Sequence, residues 1–172
     1  MSDRSVPFPA ARTALEKDLA ATFESDYCAS AWPEAYGAQV SVGVPAGGVS
    51  QLCAWVEEQP DGMSAEPHAT GRTATFRWSL TACLWAKRPT RELALASVDQ
   101  MAQAAVAAVL CDPTLCRSVE RAVPYVGELA VAQSDDRKWC AAAAVTVDCQ
   151  AGDVCAPPEL AREIRERRAA TL

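Results

Sequence analysis

Residues 72–88, RTATFRWSLTACLWAKR, alternate between two kinds of side chain with a period of two. Between the two terminal arginines, one parity contains only apolar residues, which are Ala74, Phe76, Trp78, Leu80, Ala82, Leu84 and Ala86. Since successive side chains of a strand point to opposite faces of a sheet, the pattern predicts a long strand with one face on the core. At about 3.3 Å per residue the alternating residues 73–86 span roughly 45 Å, so we expect part of the strand to project beyond the domain or to pair with a neighbour.

The segment that follows, PTRELALASVDQMAQAAVAAVLCDP, predicts a long helix. Thr90 is a suitable N-cap, and Glu92 places a carboxylate in the first turn, near the positive end of the helix. Apolar residues recur at intervals of three and four, which is the helical pattern, at Leu95, Val98, Ala102, Ala105 and Val109. Asp112-Pro113 ends the helix because a residue before proline is disfavoured in helical conformation.

The rest of the chain contains weaker patterns on either side of this pair. Leu15, Leu19 and Phe23 form one stripe of a helix over residues 12–25. Residues 40–44 alternate as a strand that ends in a Pro/Gly turn, and residues 49–58 predict a second strand. Two strand-like runs around SDDRK predict a hairpin that ends at Gln150, and PELAREIRERRAA predicts a charged helix.

This order of elements predicts an α+β fold. An antiparallel sheet carries a long helix packed across one face, which is a two-layer sandwich, and helices lie at the N- and C-terminal ends. We assign residues 1–11 to an N-terminal arm, residues 12–150 to a single α+β domain, and residues 151–172 to a linker and the charged C-terminal helix.

Composition limits the functions that the chain can have. A net charge of −6 argues against a surface that coats nucleic acid, because such a surface needs a basic patch. We expect that no apolar run approaches the roughly 20 residues needed to span a bilayer, and the first residues do not resemble an export signal, so we expect no membrane association. The eight cysteines are then expected to be reduced and mostly buried.

Residue patterns for catalysis and metal binding are sparse. The only histidine, His68, lies in a polar stretch over residues 58–71 that predicts a long loop, where we expect a solvated side chain. No nucleophile elbow, phosphate-binding loop or C-x₂-C pair is present, and the spacing of Cys140, Cys149 and Cys155 does not suit zinc. We therefore expect no catalytic residue, no metal and no cofactor.

Two features of the sequence each allow two interpretations. Cys111 and Cys116 bracket four residues; they form either a local disulfide or a structural joint, in which Cys111 ends the helix, Cys116 packs under the turn and Leu115 anchors it. Four carboxylates accompany the predicted loop, as a solvated acidic loop or as one part of an acidic ring built from many copies: Glu57, Glu58, Asp61 and Glu66.

The sequence resembles the tail terminator (tail completion) proteins of long-tailed bacteriophages and prophages. The resemblance covers roughly residues 12–150. It rests on a long strand, TATFRWSLTACLW, that leads into a long helix, ELALASVDQMAQAAVAAVL, then the turn DPTL and a final hairpin, GELAVAQ…KWCAAAAVTVDCQ. In this chain Cys116-Arg117 stands where the family often has glycines.

The resemblance implies a structural role rather than an enzyme. Members form homo-oligomeric rings, commonly hexamers, that cap the tail-tube protein, stop its polymerisation and join it to the head–tail connector proteins. DNA passes through such a ring without tight binding, and an acidic lumen formed by the four carboxylates would repel its phosphates. The protein would be made in the bacterial cytoplasm and end at the tail–head junction of the virion. We expect the contact with a neighbouring subunit or the tube to include Arg77, Trp85, Asp112, Pro113 and Leu115.

Three alternatives remain. A neck (connector) protein at the head–tail joint has a similar order of elements. A small hot-dog-type enzyme also wraps a sheet around a long helix, and it would need Glu92 to face a pocket. A cysteine-based redox or metal protein is the third.

Overall fold

The computed structural model describes residues 8–45, 51–69, 71, 73–155 and 158–169, with only the backbone described for residues 60–62, 158 and 161. The helices are α1 (Phe8–Phe23), α2 (Asp26–Ala31), α3 (Arg91–Cys111) and α4 (Pro158–Ala169). The strands are β1 (Gln39–Ser41), β2 (Leu52–Pro67), β3 (Thr73–Arg88), β4 (Arg121–Val126), β5 (Ala130–Gln133) and β6 (Trp139–Cys155).

The strands form one six-stranded sheet in the order β1-β2-β3-β6-β4. All pairs are antiparallel except β1 with β2, which is parallel. β4 pairs with one part of β6 and β5 with another, so together they make a single interrupted strand along the outer edge. The long helix α3 packs on β3, β6 and β4, and α1 packs on α3. The predicted α+β fold class is confirmed.

β3 is the predicted long strand, and its alternation decides which face meets the helices. Trp78, Leu80 and Leu84 are almost fully buried, while Arg77 on the opposite face is exposed. Thr81, although polar and on that opposite face, is also buried and accepts a hydrogen bond from Gln59 Nε2 at 2.7 Å. The apolar parity of β3 therefore forms the floor of the core.

α3 begins and ends where the sequence predicts. The Thr90 hydroxyl accepts a hydrogen bond from the backbone N–H of Leu93 at 3.2 Å, and Asp112 terminates the helix. Its buried side is rich in alanine, which lets the helix axis approach the sheet closely. α3 is long and apolar enough to cross a membrane by length and composition, so the expectation that no apolar run approaches this length was wrong. Half of its apolar segment is buried inside the fold.

α1 starts at Phe8, four residues before the predicted helix, within the predicted arm. Tertiary packing explains the difference, because the Phe8 ring makes edge contacts with Trp78 and Phe76, at centroid distances of 4.7 and 6.0 Å. An apolar contact of this kind fixes a helical turn that has no periodic signal of its own. Residues 1–7 of the predicted arm lie outside the described residues.

The polar stretch over residues 58–71 is not a long loop. β2 continues through it to Pro67 and pairs with β3, with a shift of register between Gln59 and Ser64. Residues 63–67 are exposed, so this part of the strand needs no apolar alternation and its sequence resembles a loop. β6 likewise runs to Cys155, so residues 151–155 of the predicted linker belong to the sheet.

The strand predicted over residues 40–44 is shorter than expected. β1 ends at Ser41, and the next two valines of the alternating pattern, Val42 and Val44, are exposed rather than buried. Three residues of parallel pairing leave β1 as a short edge strand.

Candidate interaction surface

The sheet has one covered face and one open face. The described parts of α1 and α3 share the core with the apolar parity of β3. Over the opposite face, called the open face below, no described helix packs. Its half-buried apolar residues form a group that we call the aromatic patch: Trp55, Cys83, Trp85, Ala142 and Ala144.

Strand register places the members of the aromatic patch side by side. Trp55 pairs with Cys83, which pairs in turn with Ala144, and Trp85 pairs with Ala142. Directly paired residues on one face of a sheet have side chains in contact distance. Two tryptophans and two alanines therefore form a continuous apolar surface across β2, β3 and β6.

The aromatic patch has a carboxylate at its edge and a thiol at its centre. Trp55 Nε1 donates a hydrogen bond to Glu57 Oε1 at 2.7 Å, which places a carboxylate at the edge of the patch. Burial raises the pKa of the Cys83 thiol to about 11, and the negative charge of Glu57 adds to the effect. Cys83 is therefore a neutral thiol at physiological pH and a poor nucleophile.

Beyond the aromatic patch, the open face becomes polar toward the far end of β3. The polar groups there are partners of one another: Ser79 Oγ donates to Asp148 Oδ1 at 2.7 Å, and Arg77 lies 3.0 Å from Glu66. A shallow cavity of about 400 Å³ occupies this region, lined by Ser64, Arg77, Trp78, Ser79, Arg121, Val123, Tyr125, Asp148, Cys149 and Gln150.

Of the four carboxylates predicted to act together, the three whose side chains are described are separated. Glu57 lies on the open face, whereas Glu58 follows it on β2 and takes the opposite face. Glu66 is paired with Arg77, which offsets its charge. The side chain of Asp61 lies outside the described residues. This part of the chain therefore forms a strand and not a single acidic loop.

The residues predicted for a subunit or tube contact fall in two places. Arg77 and Trp85 both lie on the open face of β3, eight residues apart. Asp112, Pro113 and Leu115 lie in the turn after α3. Leu115 is fully buried in the core, so it anchors the turn as expected, and in this fold its side chain does not face a partner.

The turn after α3 is organised by one carboxylate. Asp112 accepts hydrogen bonds from Thr114 Oγ1 at 2.9 Å and from the backbone N–H of Cys116 at 2.6 Å. These bonds, the one from Cys116 first, hold the pKa of Asp112 below its usual value. Cys116 is exposed, so the expectation that it packs under the turn was wrong, and both it and Cys111 are free thiols.

The same turn forms a cluster that the sequence did not reveal. Asp18 of α1 meets Asp112 and Cys116, with one potential ligand atom of each within 4.8 Å of the others. Burial raises the pKa of Asp18, with the negative charge of Asp112 as the second cause, and Asp18 Oδ2 has no hydrogen-bond partner. A metal prefers ionised ligands. Burial also raises the pKa of the Cys116 thiol. Of the three groups, only Asp112 has a pKa that is shifted toward the ionised form.

Two residues were considered for catalysis from the sequence, His68 and Glu92. His68 is not a freely solvated side chain, since its ring nitrogens lie 2.8 Å from Thr73 Oγ1 and 2.9 Å from Thr75 Oγ1. Glu92, which the hot-dog alternative requires in a pocket, is exposed on the first turn of α3 and does not line the cavity on the open face.

Comparisons with known proteins give only remote likenesses, and these are to solved structures. No family model matches the chain, and no curated protein matches it. Among solved structures, it is similar to a chain from the virion of a native gene transfer agent particle, with 13% sequence identity and a TM-score of 0.41, over 80% of this chain and 96% of that chain. A likeness this remote does not assign a function.

Proposed function

We propose that this chain is a structural subunit of a phage-like virion, of the tail terminator type, and not an enzyme. Copies of it would form a ring that ends the tail tube and joins it to the head. The observation that carries the proposal is the aromatic patch on an open sheet face, in a fold whose elements follow the order of the family that the sequence resembles.

The aromatic patch supports assembly for a physical reason. Trp is enriched at the centres of protein interfaces, because its large flat surface loses little conformational freedom when it is buried. Here Trp55 and Trp85 are half-buried beside small residues, which leaves part of each ring accessible to another element. A ring uses the same contact repeatedly, between two different surfaces of successive subunits.

The charge of the chain supports passage of DNA rather than binding to it. Binding to phosphate groups requires lysine and arginine side chains that replace the counterions of DNA. In this chain acidic side chains outnumber them, which gives a net charge of −6. The arginines Arg77 and Arg88 already have carboxylate partners in Glu66 and Glu34. We therefore propose that any DNA contact in the ring is transient.

Deletion of the gene from the particle-producing organism tests the proposal. We expect particles with tail tubes of abnormal, uncontrolled length and heads that are not joined to tails, visible by electron microscopy, and rescue by the gene supplied in trans. Tails of normal length with detached heads would favour the neck alternative. Unchanged particles would refute a virion role.

A further inference from the structure

α4 carries an apolar stripe that no other described helix or strand covers. Leu160 and Ile164 are one helical turn apart and lie on the same side, and each is 48% exposed. α4 does not pack along any other described helix or strand. A 12-residue helix is marginal in water by itself, even with the pairs Arg162–Glu166 and Arg167–Glu163. The stripe therefore requires a surface to cover it.

The aromatic patch offers such a surface. It presents two half-buried tryptophan rings together with Ala142 and Ala144, whose small side chains allow a helix to come close. Glu57 at its edge supplies a negative charge. α4 has four arginines against three glutamates, so it arrives with a small positive excess.

α4 cannot reach the aromatic patch of its own chain. It follows β6, which ends at Cys155 opposite Thr73, at the far end of β3. Three residues of connection span at most about 11 Å, and the helix from Pro158 to Ile164 adds about 9 Å, so Ile164 lies within roughly 20 Å of Cys155. Cys83, in the middle of the patch, is ten residues along β3 from Thr73, or about 33 Å away.

We infer that α4 of one copy docks through Leu160 and Ile164 on the aromatic patch of a second copy. This inference rests on the proposed ring-forming function, and it names the contact. The helix and the patch are different surfaces, so each copy both gives and receives one contact. Contacts of that kind close into a ring when the rotation between copies allows it.

Two complementary variants of the full chain test the contact. The first, Leu160→Asp with Ile164→Asp, removes the stripe and keeps the patch. The second, Trp55→Ser with Trp85→Ser, removes the patch and keeps the stripe. Because each change removes buried apolar area, we expect either variant to associate at least about 100-fold more weakly than wild type by light scattering. Equal numbers of the two variants should form one-to-one dimers and nothing larger, since one intact stripe meets one intact patch.

A matched control separates the stripe from the charge of α4. Arg162 lies on the opposite side of the helix, and Arg162→Asp changes the net charge by the same amount as the first variant. We expect it to associate within about threefold of wild type, with its helical content checked by circular dichroism. Equal loss in this control and in the stripe variant would overturn the inference.

Photo-crosslinking reports the contact even where the patch variant unfolds. A photo-reactive phenylalanine at position 164 of the full chain should form crosslinked dimers whose linked peptide contains Trp55 or Trp85. Crosslinks within one chain, or a wild-type chain that stays monomeric without crosslinks, would overturn the contact. Neither of these two crosslinking results would contradict the proposed virion role. That role fails only if deletion of the gene leaves tail length and head joining unchanged.

Discussion

Three successive residues after α3 have left-handed backbone. Leu115, Cys116 and Arg117 have φ values of 45°, 54° and 65°. Side chains other than glycine disfavour this region by about 1–2 kcal/mol each. The buried Leu115 side chain and the Asp112 carboxylate hold the turn in place, which offsets that cost. The family that the sequence resembles often has glycines at the positions of Cys116 and Arg117, where glycine would avoid this strain.

Arg117→Gly is expected to stabilise the fold. Glycine adopts positive φ without strain, and part of the gain is lost to its freer unfolded chain, which leaves a net increase of about 0.5–1 kcal/mol in the free energy of unfolding. Chemical denaturation measures it. Arg117→Ala is the control, because it removes the same side chain and keeps the strained Cβ. If the alanine variant gains as much as the glycine variant, backbone strain is not the cause.

Asp18 and Asp112 should affect stability with opposite dependence on pH. The raised pKa of Asp18 means that the folded state holds its proton more tightly, so its contribution is present below about pH 4 and is lost as pH rises through the folded pKa. The lowered pKa of Asp112 gives a contribution that is present above about pH 4 and is lost as pH falls through its folded value.

Asp18→Asn is therefore expected to raise stability at neutral pH and to lose that advantage in acid. The amide is neutral, which removes both the cost of a buried charge and the repulsion from Asp112. Asp112→Asn should do the reverse and destabilise at neutral pH. Thermal unfolding of both variants from pH 3 to pH 8 measures the two trends. A neutral-pH loss in Asp18→Asn would show that its charge is used, as in a cation site.

At the scale of elements, β3 and α3 form the core together with β6, and the three supply most of the buried apolar side chains among the described residues. The patterns of β3 and α3 are long and regular, so sequence alone identified both and placed the end of α3 at Asp112. The outer half of β2 escaped prediction because its residues are polar and exposed. Only backbone pairing with β3 makes it a strand.

Thr90→Ala is expected to weaken α3 at its start. The Thr90 hydroxyl accepts the hydrogen bond of a backbone N–H that has no partner within the helix, so its loss should cost about 1 kcal/mol of unfolding free energy. Thr90→Ser keeps the hydroxyl and should remain within a few tenths of wild type. Equal losses in both variants would point to packing of the threonine methyl group instead of capping.

At the scale of the whole molecule, the eight cysteines are all free, and their exposure differs. Cys28, Cys53 and Cys149 are buried, and burial raises the pKa of Cys149 to about 12. Cys111 and Cys116 are exposed. The fold therefore sorts chemically identical thiols into accessible and protected groups, and only three of the eight are buried, so the expectation of mostly buried cysteines was wrong.

A thiol reagent applied to the native protein at mildly alkaline pH should modify Cys111 first. Cys116 should follow more slowly, because its raised pKa leaves less thiolate. The three buried thiols should react only after unfolding, when the total reaches eight. Peptide mapping by mass spectrometry identifies the sites. A total below eight in denaturant without reductant would reveal a disulfide and favour the redox alternative.

The sequence by itself determined the α+β class, the long strand and helix, the cap at Thr90 and the turn at Asp112-Pro113, because each depends on local periodicity or local hydrogen bonding. Tertiary structure alone decided which tryptophans share a patch, that Asp18 meets Asp112, and that α4 does not pack along the other described elements. Those facts depend on strand register and on contacts between residues distant in sequence, which a single-residue pattern does not encode.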